Sequence, residues 1–94
     1  METFRGAGRL RTSDGKELIA TINYRVWWQP ETRSTTESWS GEIMVDQDVK
    51  THGEYIIELE NGRKGRCFLS ISFKSMLGLG AGYHYNLRGV GPLK

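Results

Sequence analysis

The chain has one cysteine, two histidines and two prolines among 94 residues, and each scarcity removes a class of explanation. A single cysteine, Cys67, excludes an internal disulfide, and nothing demands an oxidising compartment. With only His52 and His84 beside it, a zinc site would need carboxylates from distant segments, and no spacing suggests one. METFRGAGRL has no apolar run, so neither a signal peptide nor a membrane span is expected. The expected location is cytoplasmic, with no membrane partner. Neither sign of charge dominates: 13 Lys and Arg stand against 11 Asp and Glu, a net charge of +2. That permits a nucleic-acid or other anionic partner without requiring one. Gly78-x-Gly80-x-Gly82 is followed by a strand pattern rather than a helix, so it is not a phosphate loop, and no cofactor is expected.

What the sequence does have is alternation. From Glu17 to Gln29, Leu18, Ala20, Ile22, Tyr24, Val26 and Trp28 share one face, a period of two in strand-forming residues. Thirteen extended residues span about 43 Å, against a domain about 30 Å across. The strand must therefore bend, coil or carry a bulge. A short strand over about Ala7 to Thr12 precedes it across Ser13-Asp14-Gly15-Lys16, a tight-turn sequence. Pro30 ends the long strand, and Glu31 to Ser38 is a polar loop, the segment expected to be most mobile. Trp39 to Val45 reads as a third strand. Asp46 to His52 has room for one helical turn anchored by Val49. Tyr83 to Arg88 reads as the last strand, with Tyr83, Tyr85 and Leu87 opposite His84, Asn86 and Arg88.

The clearest element is the hairpin Gly53 to Lys74. Tyr55, Ile57 and Leu59 alternate before Asn61-Gly62, and Cys67, Leu69, Ile71 and Phe73 alternate after it. A two-residue Asn-Gly loop would set Leu59 against Lys64 and Ile57 against Arg66, so it fails on register. Two odd-length loops repair the parity. Asn61 to Arg63 pairs Glu58 with Arg66 and Glu60 with Lys64. Glu60 to Gly62, with a bulge at Gly62, is equally acceptable. Six strands, almost no helix and short turns point to a single all-β domain, an antiparallel barrel or barrel-like sheet.

No catalytic constellation accompanies this pattern. Cys67 falls on the inner face, where a thiol is structural rather than reactive. The feature of interest is basic residues interleaved with aromatics. Arg9 and Arg11 lie in the first hairpin, Arg63, Lys64 and Arg66 in the second, and Trp27, Phe68 and His84 face outward. OB-like barrels hold single-stranded nucleic acid on such surfaces. A plainer account is that Lys64 and Arg66 balance Glu58 and Glu60 across the hairpin, leaving only Arg63 without a partner. Outward aromatics also suit a protein partner or a homodimer.

Two short patches resemble the PilZ family of six-stranded barrels. Arg5-Gly6-Ala7-Gly8-Arg9 matches its Arg-x-x-x-Arg spacing, which in that family precedes the first strand. Thr36-Glu37-Ser38-Trp39-Ser40-Gly41 is similar to its Asp/Asn-x-Ser-x-x-Gly motif, with Thr36 at the Asp or Asn position. The resemblance implies cyclic di-GMP binding through Arg5, Arg9 and Ser38. The leading expectation is a non-enzymatic binding or interaction module of unassigned ligand, with single-stranded nucleic acid and a cyclic dinucleotide as the alternatives.

Overall fold

The long alternating segment becomes the spine of the molecule. A computed structural model describes residues 1–49, 53–72 and 82–94. Its strands are β1 (Glu2–Thr12), β2 (Leu18–Gln29), β3 (Ser38–Val45), β4 (Glu54–Glu58), β5 (Lys64–Ile71) and β6 (Tyr83–Val90). All neighbours are antiparallel, and the sheet closes in the order β1-β2-β3-β6-β5-β4. No helix among the described residues is long and apolar enough to cross a membrane. His52, Phe73, Lys74 and the glycine-rich run up to Ala81 lie outside the described residues.

The core is built from the expected alternation. Ala20, Ile22, Tyr24 and Val26 of β2 are buried with Trp39, Ile43 and Val45 of β3. Leu10, Tyr55, Ile57, Leu59, Cys67, Leu69, Tyr85 and Leu87 line the rest of the interior, and Val49 and Leu93 are buried with them. Trp39 fills one end, where a Cβ on Gly65 or Gly89 would lie 2.5 and 2.3 Å from its ring. The indole therefore needs glycine at both positions, and its Nε1 donates to the Gly91 carbonyl at 3.0 Å. At the opposite end the buried Tyr85 hydroxyl accepts from the Val49 amide at 2.8 Å and donates to Asp48 at 3.0 Å.

Several expectations need correction. β1 begins at Glu2, because its first half pairs with β2 along Glu2↔Trp28 to Gly8↔Ile22. The bulge expected of β2 falls at Ile19: Leu10 faces Ala20, but Arg11 faces Leu18. One inserted residue reverses the faces beyond it. Leu18 is thus 51 % exposed rather than inward, and Ile19 packs against the core. The molecule measures 42 × 29 × 24 Å, so the long strand has more room than a 30 Å sphere allows. Of the segment expected to hold a helical turn, Asp46 and Gln47 form a bend and Val49 is buried as the anchor, while Lys50 to His52 lie outside the described residues. Ile71 closes β5 at the rim and is 51 % exposed, while Ser72 beyond it is buried, so alternation lapses where the strand ends.

The β4–β5 hairpin takes the second of the two odd loops. Glu58 pairs with Lys64, Ile57 with Gly65, Tyr55 with Cys67 and Glu54 with Phe68. The Gly62 amide donates to the Leu59 carbonyl at 3.0 Å, and the Leu59 amide donates to the Arg63 carbonyl at 2.8 Å. Gly62 has φ +91°, as a bulge glycine requires. The pairing of Glu60 with Lys64 and of Glu58 with Arg66 is therefore replaced. Lys64 meets Glu58 at 3.3 Å and Arg66 meets Glu54 at 3.4 Å.

Candidate nucleic-acid interface

Closure sorts the basic residues into different parts of the wall. Arg11 and Lys64 converge on Glu58 from opposite sides, because β4 lies between β1 and β5. The Arg11 side-chain hydrogen bond holds the Glu58 carboxyl below its ordinary 4.5, with Lys64 assisting. These cations are internally balanced. Arg9 stands beside them, in register with Glu58 on one side and Thr21 on the other, and is exposed.

Arg63 is not the free cation that its place near the hairpin tip suggests. Its guanidinium lies 4.6 Å from the Trp28 ring centroid and 5.4 Å from that of Phe4. It also donates to the Leu93 carbonyl at 3.3 Å. Beside it the Glu37 carboxylate accepts from the Leu93 amide and from Trp28 Nε1, both at 2.8 Å. The Leu93 hydrogen bond, followed by that of Trp28, holds the Glu37 carboxyl below its ordinary range. This group covers one end of the barrel, so it is structural. The loop before β3 is bonded to itself, with the Thr32 amide donating to the Thr35 carbonyl at 2.9 Å.

The two outward aromatics fall into a single row. Trp27 on β2 faces Ser40 on β3, Ser40 faces Arg88 on β6, and Arg88 faces Phe68 on β5. Adjacent strands are ~4.8 Å apart, so three steps separate Trp27 from Phe68 by about 14 Å along the wall. Phe68 is 46 % exposed. Trp27 is half-buried under the Arg25 guanidinium, 5.1 Å from its ring centroid, and Arg25 donates to Glu42 at 2.6 Å. Arg88 is exposed, and among the described residues no carboxylate pairs with it. Arg66 flanks Phe68 on β5, and Asn86 and Ser70 form the next row.

Trp27, Arg66 and Phe68 face outward as expected, and Arg88 joins them although it is not among the expected site residues. The signal was present in the alternation of β6, which sets Arg88 outward with His84 and Asn86. What was missing was the neighbourhood, since β5 and β3 are brought beside β6 only by closure. His84 lies two rows away, beyond Asn86, half-buried and in register with Met44, so it does not join the row. Its Nε2 is buried, with no hydrogen-bond partner among the described residues.

The Arg5-x-x-x-Arg9 patch sits inside β1, paired along its length with β2, instead of ahead of the first strand. Arg5 is in register with Arg25 and through it with Glu42, four residues along β3 from Ser38. Four strand residues span about 13 Å, so Arg5, Arg9 and Ser38 do not converge. Cys67 is fully buried, and desolvation pushes its thiol up to about 12. Among the described residues, no three His, Cys, Asp or Glu side chains group to hold a metal ion. Comparison with known proteins finds no matching family model, curated protein or solved structure, so the row on the wall is what a functional reading has to rest on.

Proposed function

We propose that this barrel is a non-enzymatic binding module that holds single-stranded nucleic acid across the outer wall of β2, β3, β6 and β5. The observation that carries the reading is the row Trp27–Ser40–Arg88–Phe68, a cation between two aromatic faces on a rigid sheet. Bases stack on aromatic rings whatever their identity, contributing ~1–3 kcal/mol each. Arg88 supplies charge for the phosphates, and Ser40 leaves space between the rings. Ser70 and Asn86 add hydrogen-bonding groups alongside. The lack of a reactive group in this row favours binding over chemistry, because the one thiol is buried and protonated. A cytoplasmic location belongs to the same proposal, since a free thiol persists there.

Fluorescence anisotropy with a labelled mixed-sequence oligonucleotide tests it. Affinity falls with added salt, at a log–log slope near −0.7 for each phosphate contacted. Phe68→Ala weakens binding about tenfold or more, and Arg88→Glu abolishes it. Lys64→Glu, at a residue already balanced by Glu58, has a smaller effect than Arg88→Glu. Absence of binding at low salt, or an Arg88→Glu variant that binds like the parent, rejects the proposal.

A further inference from the structure

The barrel is closed, but its last seam is only partly paired. β1 meets β4 over Arg9↔Glu58 to Thr12↔Tyr55, four positions of an eleven-residue strand. Beyond Arg9, β4 gives way to the hairpin loop, which is drawn towards the barrel end because the Glu60 amide donates to the Tyr24 hydroxyl at 2.9 Å. Among the described residues, the first half of β1 is therefore paired with no strand but β2. The Thr12 amide points to the β2 side, donating to Glu17 at 3.0 Å, whereas the Ala7 amide points to the seam. Backbone groups alternate along a strand, so Thr3, Arg5 and Ala7 direct their N–H and C=O groups into the seam.

Such an edge is a template for another strand. Here it is occupied by a side chain: the Glu60 carboxylate accepts from the Ala7 amide at 3.3 Å. Gly6 makes this possible, since a Cβ there would lie 2.2 Å from the carboxylate oxygen. On either side of this bridge the seam opens into clefts of about 350 Å³, beside Thr3 and Arg5, and about 520 Å³, beside Ala7, Arg9 and Lys64. Arg5 and Arg9 are exposed on β1, and among the described residues neither has a carboxylate of its own.

We propose that an extended acidic peptide adds to β1 along Thr3–Ala7, displacing Glu60 and presenting a carboxylate to Arg5. Strand addition takes affinity from main-chain hydrogen bonds and specificity from alternate side chains. Glu60 is the internal stand-in, a carboxylate already seated on the edge amide. The surface is separate from the aromatic row, so neither proposal depends on the other.

The probe is a labelled peptide of alternating Glu and Val, compared with its Lys-for-Glu counterpart. The acidic peptide binds the full chain and the Lys peptide does not. Glu60→Ala, which removes the competitor, binds about tenfold tighter. Ala7→Pro removes the edge N–H without breaking a bond to β2, and it abolishes binding. Arg5→Glu, which alters only an exposed side chain, reverses the preference between the peptides. Arg88→Glu changes nothing here. Equal binding of both peptides overturns the proposal, as does a folded Ala7→Pro variant that binds like the parent. Self-association of Glu60→Ala with no peptide binding overturns it in favour of a second copy as the occupant.

Discussion

Glu58 binds two cations at once, and its side chain is only 16 % exposed, so it is the residue through which the β1–β4–β5 junction responds to acid. Its carboxyl, like that of Glu37, is held below the ordinary 4.5 in the folded chain. The linkage sign follows directly: the bonds stabilise the fold above 4.5 and are lost as pH falls through the folded values. Urea midpoints measured from pH 7 downward are therefore expected to fall on the acid side, with a shallower fall in a Glu37→Gln, Glu58→Gln double variant. Near neutral pH, Glu58→Gln alone costs about 1 kcal/mol. An unchanged acid profile in the double variant rules these two carboxyls out as the cause. Cys67 gives a second residue-scale expectation. A thiol that is fully buried and pushed up to about 12 reacts with a disulfide reagent only when the barrel opens, so its labelling rate tracks urea concentration. The character of Cys67 was legible from its place in an alternating strand. That of Arg63 was not, because Phe4, Trp28 and Leu93 come from three segments remote from it in sequence.

At the scale of elements, the β4–β5 hairpin shows how far parity alone carries the reading. Alternation excluded the two-residue Asn-Gly loop and left two odd loops that hide the same side chains. The choice between them depends on which residue takes positive φ, and Gly62 at +91° decides it. A Cβ on Gly62 meets nothing within 4 Å, so Gly62→Ala isolates the backbone term. The expected cost is about 1–2 kcal/mol, read as a lower urea midpoint at unchanged slope. No loss would mean that the loop has moved to the other odd register. Gly89→Ala is the contrasting case, because its Cβ would fall 2.3 Å from the Trp39 ring. Its cost is overpacking, about 1–3 kcal/mol, and Trp39 fluorescence should shift with it. The candidate interface was half legible for a related reason. The parity of each strand gave the outward set, but strand order across the barrel decided which outward residues became neighbours.

At the scale of the whole molecule, closure is uneven. Five seams are paired over five positions or more, while β1 and β4 share four. The sequence pointed to a barrel through its six strands, but it gave no sign that one seam would be bridged by a side chain. That bridge depends on a glutamate in a turn approaching a glycine far away in sequence, a contact with no periodic signature. The consequence is an alternation of protection within one strand. Amides of Phe4 and Gly6 face β2 and should exchange slowly with solvent deuterium. Those of Thr3 and Arg5 face the seam and should exchange fast, with Ala7 intermediate because Glu60 accepts its proton. Glu60→Ala should bring Ala7 to the fast rate while leaving Gly6 slow. Uniform protection from Thr3 to Gly8 would require a strand along the seam and would remove the open edge on which peptide addition depends. Uniformly fast exchange would instead mean that β1 is frayed from β2 in solution, so that no ordered edge exists to receive a partner.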